Sequence, residues 1–155
     1  MLKQLEELLG TRGTPHERIA HSEAFTSQEE AAAAHLSGWS WAKVVIVKER
    51  EGLAMAVLPA CCTIDMDRLK GLIGRGEIEL ASVEEMLRAF PGCELGAIPP
   101  FGKPYGIDMI VDDSLSEQPD IYFEAGDHRS LIHVNAMAFQ RLTGDARHGR
   151  FSRHD

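Results

Sequence analysis

The chain has 155 residues, a formal net charge of −8, 44% hydrophobic residues and 26% charged residues. That length suits one domain whose core needs no covalent staples. The acidic balance argues against broad, sequence-independent binding of nucleic acid, which rests on Lys and Arg neutralising phosphates. No apolar run reaches the roughly 18 residues of a membrane span. The acidic, amphipathic start MLKQLEELLG lacks the basic and apolar regions of a signal peptide, so a cytoplasmic location is expected.

In chain order, Leu2, Leu5, Leu8 and Leu9 recur at helical spacing, and Gly10 supplies a stop. Gly13-Thr14-Pro15 reads as a turn and Glu17–His21 as a weak strand. Thr26-Ser27-Gln28-Glu29 has the form of a capping box ahead of an alanine run, which predicts a helix over about 27–37. Ala42–Lys48 holds four consecutive β-branched residues, Val44 to Val47, and reads as a central strand with two apolar faces. Glu51-Gly52 turns the chain into a second apolar stretch, Leu53–Pro59, giving a hairpin. Asp65 or Thr63 caps a helix carrying Leu69, Leu72 and Ile73, ended by Gly74. A short strand at Glu77–Leu80 precedes a second capping box, Ser82-Val83-Glu84-Glu85, and its helix, which Pro91-Gly92 closes. Strands follow at Gly106–Val111, Asp120–Glu124 and Leu131–Val134, and Asn135 caps a last helix. Strands and helices intersperse without a regular β-α alternation. The expected fold is a single α/β (α+β) domain with a mixed, mostly antiparallel sheet flanked by helices.

Between the helix near 83–89 and the strand near 106–111 lies the most unusual stretch, Gly96-Ala97-Ile98-Pro99-Pro100-Phe101-Gly102. Two prolines fix φ and remove two N–H donors, and flanking glycines open conformations closed to other residues. The segment predicts a rigid loop forming one wall of a small pocket. Lys43 shares a strand face with Val45 and Val47. It either snorkels to water from the strand end or enters a groove to bind an anion or a polarised oxygen.

Other chemistry finds little footing. There is no Gly-x-Ser-x-Gly elbow, no His-Glu-x-x-His or Cys-x-x-Cys metal spacing, and no P-loop around Gly71, Gly74 and Gly76. Cys61, Cys62 and Cys93 read as reduced, buried thiols. No cofactor or metal is expected. A site built from a stiff loop and one lysine can still act on an already activated bond, by positioning water and stabilising developing charge. Four arginines against two aspartates make residues 141–155 locally basic, and 143–155 reads as a flexible tail beyond a domain over 1–142.

These residues resemble the YbaK/prolyl-tRNA synthetase-associated domain family of free-standing aminoacyl-tRNA deacylases. Ala42-Lys43-Val44-Val45-Ile46-Val47 is similar to the family's lysine-bearing strand, and Gly96 through Gly102 to its Gly-x-x-x-Pro loop. Ile121-Tyr122-Phe123 through Gly126, with Leu131–Val134, is similar to its last hairpin. His21, Thr26 and Glu29-Glu30-Ala31 match its lead-in. The resemblance spans about 12–142 and implies hydrolysis, in trans, of the ester joining a mischarged amino acid to the terminal ribose of a tRNA. It implies that Lys43 holds the terminal phosphate or adenosine, that the Gly96 backbone positions substrate or water, and that Pro100 fixes the loop. Ile98, Pro99, Phe101, Gly102, His21, Thr26, Gly126 and His128 complete the implied binding surface. Alanine-directed members carry Phe-His-Pro-Leu-x-Asn where this chain has Phe123-Glu124-Ala125-Gly126-Asp127-His128, so Glu124 replaces a histidine.

The expected substrate is a small residue such as Ala, Ser or Cys, on tRNA(Pro). The expected partners are the 3′ end of a mischarged tRNA and an aminoacyl-tRNA synthetase, with no membrane and no DNA. Two other readings stay open: a module of the same fold that binds a tRNA 3′ end or a nucleotide without hydrolysis, and a hydrolase of another small acyl ester.

Overall fold

The computed structural model describes residues 3–11, 13–20 and 36–154. The capping box at Thr26 and all but the last two residues of the helix expected over 27–37 lie outside the described residues. The chain begins with helix α1 (Lys3–Thr11) and strand β1 (Glu17–Ala20). A hairpin of β2 (Ala42–Glu49) and β3 (Gly52–Pro59) follows, then the short β4 (Thr63–Ile64) and helix α2 (Met66–Ile73). Next come β5 (Glu79–Leu80), helix α3 (Val83–Ala89) and β6 (Asp108–Asp112). The chain continues through β7 (Asp120–Glu124), β8 (Ser130–Asn135), helix α4 (Ala136–Leu142), β9 (Arg147–Gly149) and β10 (Ser152–Arg153).

The strands form a five-stranded sheet in the order β5-β2-β3-β6-β9, a three-stranded sheet β1-β8-β7, and a two-stranded pair β10-β4. Most pairs are antiparallel, while β3-β6 and β6-β9 are parallel. The domain is thus α+β with mixed pairing, as the sequence implies, but the sheet is divided. The larger and the three-stranded sheets touch at one parallel bridge, Trp41 with Tyr122, closed by the Tyr122 N–H donating to the Ser40 carbonyl at 2.8 Å.

Alternation along β2 divides the molecule. Ala42 and Ile46, with Met55, Val57 and Val111, face a main core shared with Ile121 and Phe123 of β7 and with α1 and α4. Val47, Ala54, Ala56 and Ile110 face the other way, onto Leu69 and Ile73 of α2. Asp65 caps α2 by accepting the Arg68 N–H, and Gly74 closes it in the left-handed region at φ 69°. The Ser82–Glu85 capping box is made in both directions, at 3.1 and 3.0 Å.

The segment expected as a flexible tail is built into the fold instead. β9 pairs with β6, β10 pairs with β4, and the Phe151 ring between them is fully buried. The cause is the buried Asp112 carboxylate. One oxygen accepts the backbone N–H of Phe151 (2.9 Å) and of Ser152 (3.0 Å), and the other accepts the N–H and hydroxyl of Ser114. Burial works against the ionised carboxylate, but these donors outweigh it and hold the Asp112 pKa below its ordinary value.

Replacing Asp112 by Ala strands buried donors, so we expect a loss of about 3 kcal/mol in urea unfolding. Because the folded pKa is depressed, the contribution of Asp112 is present above the ordinary carboxylate range. It is lost as pH falls through the depressed value, and Asp112→Asn flattens that acid-side loss.

Candidate active site

Lys43 stands at the start of β2, half-buried, and its Nζ donates to the Ala60 carbonyl at 3.3 Å. Its strand phase sets it on the face of Val45 and Val47, as alternation predicts. Burial lowers its pKa, and negative charge on Cys62 or Cys61 would act the other way. Cys62 is itself pushed up to about 11 by burial and by its neighbour Cys61, so at neutral pH it is an uncharged thiol. Desolvation therefore stands unopposed by Cys62 there, and Lys43 is a poorly hydrated cation that gains from an anionic or polar ligand.

The other half of the site hangs from β7. Counting two residues on from the Trp41–Tyr122 bridge places Lys43 and Glu124 on the same face of adjoining strands. Glu124 is 3% exposed, whereas Ile121 and Phe123 point into the main core. Two residues further, Gly126 leaves the strand at φ 101° and locks onto the predicted loop. Its N–H donates to the Ala97 carbonyl (3.0 Å), and its carbonyl accepts the Glu94 N–H (2.9 Å). Gly96 lies between these anchors at φ 83°, exposed to solvent. Within the same turn, the buried His128 donates from Nε2 to the Leu95 carbonyl at 2.5 Å. Asp127 holds the turn by accepting from the Arg129 and Ser130 backbones and the Ser130 hydroxyl.

Gly96, Gly126 and His128 thus meet in one junction, and β7 carries that junction to the strand beside Lys43. The remaining loop residues go elsewhere. Ile98 and Phe101 enter the main core, on the sheet face opposite Lys43, and the Phe101 ring meets Phe123 edge-on at 5.1 Å. Pro99, Pro100 and Gly102 are buried. A Cβ on Gly102 would sit 2.2 Å from the Ile107 carbonyl oxygen, so only glycine fits. Phe101 and Gly102 border a cavity of about 340 Å³ that also touches Leu8, Met109 and Leu142. In this part of the loop the side chains anchor the segment, and the exposed backbone near Gly96 faces outward. His21 and Thr26 lie outside the described residues.

Sequence reasoning noticed Glu124 only as a replacement. Its position on the strand adjoining that of Lys43 depends on the junction of the two sheets, for which no local pattern exists. Among the described residues, no group of three or more His, Cys, Asp or Glu is set to hold a metal ion, and no helix is long and apolar enough to cross a membrane.

The structure thus presents a half-buried lysine and a pinned glycine loop on a single α+β domain. The sequence profile of the aminoacyl-tRNA editing domain matches residues 21–142. The chain belongs to that family, the YbaK-type editing domains, and its reaction class is aminoacyl-tRNA deacylation.

Solved structures of similar fold include three that illustrate it. The hypothetical protein APE2540 superposes with a TM-score of 0.86 at 24% identity, over 97% of this chain and 100% of its own. A candidate trans-editing enzyme for prolyl-tRNA synthetase gives 0.84 at 21% identity, covering 97% and 96%. A candidate signal transduction protein from Marinobacter aquaeolei VT8 gives 0.79 at 18% identity, covering 98% of this chain and 31% of that one. At these identities the likeness is one of fold. A comparison with curated proteins gives no match.

The lowered Lys43 pKa has a sign that can be checked. Folding disfavours the charged form, so the stability of the wild type relative to Lys43→Met should rise as pH climbs through the lowered pKa toward the ordinary 10.5. Thermal midpoints of the two proteins across that range measure it. A flat or falling difference contradicts the assignment.

Proposed function

We propose that the chain removes a small, wrongly attached amino acid, such as alanine, serine or cysteine, from tRNA(Pro), acting in trans on the released aminoacyl-tRNA. The observation that carries this reading is the desolvated Lys43 cation on the strand adjoining β7, whose extension Gly126 pins the exposed Gly96 backbone.

In this reading Lys43 pairs with the terminal phosphate or the adenosine end of the substrate. Its partial burial makes that pairing stronger than a surface contact. The Gly96 segment sets the acyl carbonyl and a water molecule in reach of each other. Water oxygen adds to the carbonyl carbon, the ester bond to the ribose breaks, and the ribose oxygen leaves with a proton. The products are a free amino acid and an uncharged tRNA. The neighbouring ribose hydroxyl assists the proton transfers.

Selection is by size. A pocket distinguishes one methylene by only about 1–3 kcal/mol, so a wall that does not yield is needed. The buried Pro99-Pro100 pair stiffens the segment behind Gly96. An aminoacyl-tRNA synthetase that hands over its product is the fitting partner, since the chain's charge of −8 gives it little general affinity for RNA.

The test is deacylation of alanyl-, seryl-, cysteinyl- and prolyl-tRNA(Pro) by the wild type and Lys43→Ala. We expect the small residues to be released faster than proline, and Lys43→Ala to be slower by about 100-fold, the scale of losing one charge-stabilising group. Inertness on every substrate ends the enzymatic reading in favour of a binding module. An unchanged rate in Lys43→Ala removes the lysine from the mechanism.

Gly96→Val forces a β-branched residue into φ 83°. It should lower the rate by at least tenfold, with the urea midpoint showing whether the fold survives.

A further inference from the structure

The turn that leads into β2 and the C-terminal strand meet in a feature that the deacylase reading does not use. Trp39 is 37% exposed, and its ring lies 4.8 Å from that of the exposed His154, centroid to centroid, at 32° between planes.

Its position is what gives it meaning. Gly38, beside Trp39, sits so close to Cys61 that a Cβ there would be 2.9 Å from the Cys61 Cβ. The residue before Cys61 is Ala60, whose carbonyl accepts from Lys43 and whose N–H donates to the Trp41 carbonyl. On the other side, Ser152 hydrogen-bonds the Cys62 thiol and Arg153 pairs with Thr63 across β10-β4. The ring pair therefore adjoins the Lys43 site through a run of packed residues, with the exposed Arg153 next to it.

We propose that Trp39 and His154 form a stacking platform for a base of the unpaired RNA 3′ end, with Arg153 meeting the accompanying phosphate. This rests on the deacylase reading for the identity of the ligand. Charge is the argument for a base rather than for backbone alone. A chain of net charge −8 gains little general affinity from phosphate neutralisation, whereas stacking on an aromatic face depends on neither that charge nor base identity.

The probe is an RNA hairpin with an unpaired ACCA end, compared with a blunt hairpin of the same stem. The chain has two tryptophans, and Trp41 is fully buried, so a ligand stacking on the surface is read through Trp39 alone. We expect the overhang to quench wild-type tryptophan emission, the blunt stem to leave it unchanged, and Trp39→Phe to abolish the signal. In hydrolysis of aminoacylated hairpin, Trp39→Ala and His154→Ala should raise KM, the former by about tenfold, with kcat unchanged.

Equal quenching by both hairpins, or an unchanged KM in Trp39→Ala, overturns the platform. A fall in kcat at constant KM does so too. The two readings fail separately. Overhang-specific quenching without hydrolysis of any substrate ends the deacylase reading and supports the platform. Hydrolysis without quenching does the reverse.

Discussion

The arrangement turns on one short parallel bridge, Trp41 against Tyr122, where the two larger sheets meet. Everything assigned to the site is counted from it. Lys43 lies two residues beyond Trp41, and Trp39 two residues before it. Glu124 lies two residues beyond Tyr122, and Gly126 four. Because strand side chains alternate and the β2-β3 ladder already fixes the phase of Lys43, a slip of one residue at this bridge would turn Phe123 out of the main core. The bridge is held from behind by burial: Trp41 packs with Ala60 and Leu131, and Ile121 and Phe123 fill the core on the other side. Hydrophobic burial thus fixes the register, and the register fixes the chemistry.

What the site offers is placement. Lys43 is a cation whose burial makes it costly until a ligand pairs with it, and Cys62, held as a neutral thiol, does not compensate. The Gly96 turn is held on either side, at Glu94 and Ala97, by Gly126 just beyond β7, and the rest of the loop is anchored by buried prolines and Phe101. An ester already activated by its neighbouring hydroxyl asks for little beyond alignment and charge. Membership of the aminoacyl-tRNA editing family is consistent with so spare an inventory.

Local signals in the sequence were legible wherever the physics is local. The capping residues Asp65, Ser82 and Asn135 each form the predicted bond, and the β-branched run marks β2. Strands β4, β9 and β10, of two or three residues, carry no periodicity. They exist because Asp112 reaches across to Phe151 and Ser152, a contact between distant parts of the chain. That same contact is why the basic C-terminal segment is folded rather than loose. The parallel pairing of β3 with β6 was hidden for a similar reason. In the site, Lys43 and Gly96 could be named through the family resemblance. Proline and glycine in the loop signalled stiffness but not direction, so the inward turn of Ile98 and Phe101 was not foreseen. The placing of Glu124 on the strand adjoining Lys43 arises only when the sheets join, and Trp39 meets His154 only once the C-terminal segment is seated.

The same division has a kinetic side. The β2-β3 hairpin pairs residues close in sequence, with Glu49 opposite Gly52, and forms at small entropic cost. Strand β1, by contrast, must wait for β8, with Glu17 opposite His133, and Trp41 must wait for Tyr122. Closing such long loops is slow and comes after local structure. The lysine-bearing hairpin is therefore ready before the strand that completes its site. Strain that parts the two sheets separates Lys43 from Glu124 and Gly126 while the hairpin and its helix remain folded.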